Sequence, residues 1–262
     1  MTDGHPHGIG VDAGMAMPAE VPLFQKTLEQ SIKQDGFIGV KIHLAEQVGF
    51  GVLPVWEDEA VSVFAQAKEG DAGSYKKLYT AVFTATLLQC QDLNVPVHLH
   101  SGFTGGMWKG PIHDSDPFLL GPFLKHTEFL KTKIVLLHGG YPWTKQAGQM
   151  AHGFPHVWVD MGQMTPWSSL RIVECYRDVM AWAPLSKIVV GSGGHGTPEI
   201  AWLAAKTAKI ALSEVFGDAV RLKLIEKTDA ETGKLSNAEY GSAPMMGWTA
   251  GVFVTLVDYL KS

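Results

Sequence analysis

The sequence predicts an α/β fold of parallel strands, a partial or divergent α/β barrel, and three observations predict it. Short apolar runs recur along the chain with helical stretches between them, the pattern of strands joined by helical crossovers. The runs are apolar throughout, as expected of parallel strands covered on both faces. The glycine cluster at 191–196 (GSGGHG) follows the last run and not an early strand, which disfavours a doubly wound nucleotide-binding sheet.

Taken in order, a helical stretch at 23–33 precedes the first strand-like run, 37–43 (FIGVKIH). A long helical region spans 59–92, with a break near Gly70 and Gly73. Further strands are expected at 95–100 (VPVHLH), 133–138 (KIVLLH), 156–160 (HVWVD) and 187–191 (KIVVG). The stretch 199–216 reads as a helix, because Ile200, Leu203, Ala204, Ala208, Ala211 and Val215 recur at helical spacing and form one apolar face. The 262 residues fit one domain over 1–262, with 217–262 as a divergent C-terminal segment. An apolar run at 244–260 carries Gly247, Gly251 and Asp258 and is shorter than the ~20 residues of a membrane span, so it reads as a buried element.

Composition narrows the function. Apolar residues make up 46% and charged residues 18%, enough for a folded core. A net charge of −5 gives no electrostatic reason to expect a nucleic-acid partner. Cys90 and Cys175 lie far apart without a CxxC, so a reduced cytoplasmic chain is expected, although one disulfide stays open. The start, MTDGHPHGIG, has no basic region followed by an apolar one, so no signal peptide is expected.

Histidines carry the functional signal. His43, His98 with His100, and His138 fall at the ends of three successive strands, and in a barrel those ends form the active face. Neutral imidazole binds divalent metals there. His98 and His100 share a face, with His98 about 6.6 Å deeper. A single strand-end histidine is ordinarily a hydrogen-bonded structural residue, and Lys41 reads equally well as a lysine reaching for water. The repetition across strands favours a site built on His100 and His138, with His98 behind them. Two glycine-rich loops, 101–110 (SGFTGGMWKG) and 139–143 (GGYPW), follow His100 and His138. Their glycines suit close backbone approach to a ligand. Trp108, Tyr141 and Trp143 can wall an apolar substrate pocket, or pack on the barrel rim.

Several segments resemble the amidohydrolase-related family of metal-dependent amide and lactone hydrolases. They are VKIH at 40–43, VHLHSGF at 97–103, LLHGGYPW at 136–143, HVWVDMGQ at 156–163 and VVGSGGHGTPE at 189–199. Their order is similar to that of strands four to eight in the (β/α)8 TIM barrel of that family, over about 36–215. The resemblance implies that His100 is a metal ligand and that His138 is a second ligand or an acid–base group. It implies a divalent metal, commonly zinc, that lowers the pKa of water and polarises a carbonyl.

Two departures accompany the resemblance. The family run G-[ST]-D-[AG]-H appears as Gly191, Ser192, Gly193, Gly194 and His195, with Gly193 where an aspartate is expected. Losing a general base costs roughly 10²–10⁴-fold. His195 is then the remaining side chain of the run for acid–base work, and Gly193→Asp is expected to restore metal affinity. The first family strand, ending His-x-His, has no clear counterpart, since His5 and His7 lack a preceding apolar run. An N-terminally short barrel leaves an open edge, so a homo-oligomer or a partner chain completing the barrel is expected. The leading expectation is a hydrolase acting on a C–N or related bond of a small molecule through metal-activated water. The alternative is a catalytically impaired relative that binds a ligand or a partner chain, with no nucleic-acid or membrane partner in either case.

Overall fold

The computed structural model describes residues 21–102, 111–194 and 197–224. His5, His7, Trp108, His195 and most of 217–262 lie outside the described residues. Five strands form one sheet: β1 (Val40–Ile42), β2 (Pro96–Leu99), β3 (Lys133–Leu136), β4 (Val157–Asp160) and β5 (Ile188–Val189). All pairings are parallel, and the spatial order follows the chain, β1-β2-β3-β4-β5. A doubly wound sheet reverses its order at a switch point, and these strands do not reverse. Sequential parallel order is that of a barrel segment, as expected.

The helices are α1 (Val21–Lys33), α2 (Leu44–Val48), α3 (Glu57–Lys68), α4 (Ala72–Asp92), α5 (Gly121–Leu124), α6 (Thr144–Gly153), α7 (Met164–Trp167), α8 (Ile172–Met180) and α9 (Pro198–Arg221). The expected break splits α3 from α4. Gly70 sits there at φ +94°, and Asp71 caps α4 by accepting the Ser74 N–H at 2.8 Å.

Register explains which strand residues are buried. Val40, Val97, Ile134 and Val157 are aligned across the sheet, as are Ile42, Leu99, Leu136 and Val159. Both rows are buried and join one core with Phe83 and Leu87 of α4, Ala147 and Met150 of α6, Tyr176 and Val179 of α8, and Ala211 of α9. The row between them, Lys41, His98, Val135 and Trp158, points to the other face and is partly or largely exposed. Among the described residues, this second face of the strands is therefore not covered as the first is. Helices cover the convex face, while the described strands do not close around the concave one. β1 pairs only with β2 among the described residues.

Candidate metal centre

The C-terminal ends of β1 and β2 supply a compact donor group. His43 follows β1 and starts the short helix α2, and Glu46 lies one turn on. Residues three apart on a helix are neighbours, so the Glu46 carboxylate contacts His43 Nδ1. His100 follows β2, and its N–H donates to Ile42 O at 2.9 Å, carrying the sheet pairing one residue further. Its Nε2 lies 3.4 Å from Glu46 Oε1. Ligand atoms of His43, Glu46 and His100 all fall within 4.8 Å of one another. Glu46 and His100 are buried.

His138 stands beside this group. Its ring lies 4.5 Å from that of His100, edge to face at 67°. β3 ends two residues earlier than the motif suggests, because His138, Gly139 and Gly140 take φ of 65°, 61° and 63°. That left-handed run turns the chain out of the sheet. His138 Nδ1 bonds Gly162 O at 3.2 Å. A carbonyl oxygen only accepts, so Nδ1 carries the proton of that bond, and Nε2 is the ring atom that a neutral imidazole would use as a base or ligand.

Burial, aided by the charges of His138, His43 and Lys41, pushes the His100 pKa down to about 2. The ring is thus neutral, the form that ligates a metal. Burial also raises the pKa of Asp160 at the end of β4, opposed by main-chain hydrogen bonds from Gly162, His138 and Gly191 and by the charge of Lys41. Desolvation lowers the pKa of Lys41, opposed by Glu46 and Asp160. Lys41 thus feels both carboxylates across the concave face.

Two imidazoles and one carboxylate form a ligand set that suits a divalent metal such as zinc. A buried carboxylate against neutral imidazole also favours a cation between them. The residues present therefore fit the metal that the family resemblance implies.

The structure joins His100 and His138, as expected, and brings in His43, which the strand pattern ranked lower. His98 does not join the donor group. It sits one pleat deeper, in register with Lys41, and burial followed by the Lys41 charge lowers its pKa. With Lys41, His43, Phe37 and Ile38 it lines a cleft of about 350 Å³ beside β1, the size of a small-molecule site. Glu46 was missed. It lies on a helical turn, not at a strand end, and the His-x-x-Glu spacing of 43–46 was the available signal. Tyr141 and Trp143 are half-buried on the loop after His138, with Tyr141 packed on the core.

Two glycine readings change. In the loops after β2 and β3, the backbones approach each other. Gly102 is at φ +66°, and a Cβ there would lie 2.2 Å from Tyr141 O. Gly193 is not simply a vacated carboxylate position. Its φ is +58°, and a Cβ would lie 2.2 Å from Gln163 N and 2.4 Å from Gln163 Cα. Backbone contact therefore opposes the expected gain from Gly193→Asp.

Parallel strands in chain order, with imidazoles and a buried carboxylate gathered at their C-terminal ends, define a barrel protein whose mouth is suited to a metal. The chain belongs to the amidohydrolase family, whose model matches residues 1–228. That match is wider than the 36–215 carried by the motifs. The chain is 32% identical over 217 residues to Protein fluG of Emericella nidulans, covering 76% of this chain and 24% of the relative. Among solved structures, a Lactobacillus casei protein assigned as a metal-dependent hydrolase is similar at 26% identity and TM-score 0.66, over 76% of this chain and 53% of that one. Uronate isomerase from Thermotoga maritima, at 18% identity and TM-score 0.52, covers 78% of this chain and 48% of its own, and shares the fold. The chain thus spans about a quarter of the fluG protein and about half of each solved relative.

Proposed function

We propose that this chain is a metal-dependent hydrolase acting on a C–N or related bond of a small molecule. One observation carries the reading: His43, Glu46 and His100 present their donor atoms within 4.8 Å of one another at the strand ends, with the His138 ring alongside. A divalent metal, with zinc the first choice, would be held by those three residues and would supply Lewis acidity and a lowered water pKa. His138 holds a proton on Nδ1 against Gly162 O and offers Nε2 to take a proton. Tyr141 and Trp143, joined by Trp108, are the proposed apolar walls that exclude water and orient the substrate. His195 is a proposed second acid–base group, and a second copy or partner chain is proposed to complete the barrel. The test is metal content after purification with no metal added, then turnover on a panel of amides and lactones with and without zinc. Metal-free protein that neither gains zinc nor turns over any substrate would overturn the reading.

A second reading is a non-catalytic relative that binds a ligand or partner. Gly193, where the family motif carries an aspartate, favours it. Tight zinc binding with no turnover on the same panel would select it.

A further inference from the structure

We propose that the cleft beside β1 binds a carboxylate of the substrate, held by Lys41 and His98. The substrate is then a small amide with an apolar body and an acid group a few bonds from the scissile carbon. The proposal rests on the reading that the neighbouring donor group holds the catalytic metal. Lys41 and His98 are partners in register across β1 and β2, and both line the cleft. Among the described residues, neither the Lys41 ammonium nor the His98 ring has a hydrogen bond or a contact ion pair. Glu46 and Asp160 attract the ammonium through space, but the Glu46 carboxylate is engaged by His43 Nδ1 and His100 Nε2.

The shape of the cleft supplies the rest of the ligand. Leu28 and Ile32 of α1, with Phe37 and Ile38 ahead of β1, make its apolar wall. His43 also lines it, so the cleft opens onto the metal donor group. Lys41 and His43 are two residues apart, roughly 6.6 Å along an extended chain, which leaves a few bonds between the acid and the carbon attacked. An ammonium donates through three N–H groups and a neutral imidazole through one. Those donors match the two oxygens of a carboxylate. A phosphate dianion is a poorer match, because it would meet stronger repulsion from Glu46 and Asp160, and no arginine is among the described residues that line the cleft.

The experiment is calorimetric titration of the full chain with 3-phenylpropionate and with its neutral counterpart, 3-phenylpropanamide, in wild type, Lys41→Met and Lys41→Arg. Prior treatment with a chelator keeps the acid from binding to a metal instead. Wild type is expected to bind the acid roughly 10–100-fold more tightly than the amide, as a charge-assisted hydrogen bond gives. Lys41→Arg should keep part of that preference, and Lys41→Met should lose it. Equal binding of acid and amide by wild type, or a preference kept by Lys41→Met, would overturn the proposal. So would a loss of zinc affinity in Lys41→Met as large as that in Glu46→Gln, because Lys41 would then belong to the metal group. Should the Lys41 variants not fold, ring signals of ¹⁵N-labelled histidine in the wild type decide. A His98 shift with the acid alone supports the proposal, and no shift, or the same shift with both compounds, overturns it. Zinc-loaded wild type that turns over neither N-acetylphenylalanine nor a neutral amide would sink the hydrolase reading, while the preference for acid over amide would still decide what the cleft binds.

Discussion

Glu46 Oε1 lies 3.4 Å from His100 Nε2, although one residue sits on a helical turn after β1 and the other at the end of β2. Their closeness converts a row of strand-end histidines into a mixed imidazole–carboxylate donor set. Glu46→Gln keeps the shape and removes the charge. It is expected to lower zinc affinity by at least the roughly 10–100-fold that losing an outer partner costs. His98→Ala, outside the donor group, is expected to leave zinc affinity close to wild type. Calorimetric zinc titration of the two variants checks both, and equal losses would place the metal deeper than His100.

Gly193→Asp is expected to destabilise the fold and bring no gain in zinc binding. A residue with a side chain in that left-handed conformation costs about 1–3 kcal/mol, and the contact with the Gln163 backbone adds to it. Urea denaturation at neutral pH measures the loss. A variant as stable as wild type, with tighter zinc binding, would show that the loops after β4 and β5 separate readily.

Stability is expected to fall in alkali above pH 9. Burial pushes the Cys90 thiol up to about 12 from 9.0 and the Tyr176 hydroxyl up to about 12 from 10.0. The unfolded chain ionises both groups first and so binds fewer protons than the folded one, which makes stability decrease with pH. The loss begins near pH 9 with Cys90, gains Tyr176 near pH 10 and ends near pH 12. Each group contributes up to roughly 1.4 kcal/mol per pH unit within its window. Urea midpoints between pH 8 and 11 test this, and Cys90→Ala should flatten the first part of the curve. An identical slope in that variant would refute the assignment.

The free side of β1 is expected to drive association. Its outer backbone groups have no strand partner among the described residues, and Ile38 just before it is 85% exposed. Sedimentation should show an oligomer that Ile38→Lys weakens. A dilute monomer, with the β1 amides exchanging freely, would count against it.

Much of the fold was legible because five apolar runs separated by helical lengths leave few arrangements for parallel strands. Boundaries were less so. The run at 187–191 narrows to β5 at Ile188–Val189, since Val189 and Val190 are about half exposed. Helices α6 and α8 were not assigned individually, and the short helix α2 was missed. In the site, His100 and His138 could be read from strand ends, where side-chain period and chain direction agree. Glu46 could not, because its burial depends on how α2 folds over the end of β1. Gly193 was misread because its reason is a backbone neighbour, Gln163, thirty residues away in the chain.

The order of the strands also bears on how the chain acquires its structure. Each strand pairs with the next one along the sequence, so every new unit docks on a surface already made by its predecessor. Entropy for closing each intervening loop rises only by about 0.6 kcal/mol per doubling of its length. Assembly can therefore proceed from the N-terminal side as the polypeptide leaves the ribosome. On that route β1 and β2, which are followed by His43, Glu46 and His100, come together first, and Gly162, whose carbonyl meets the His138 ring, arrives later with the chain beyond β4.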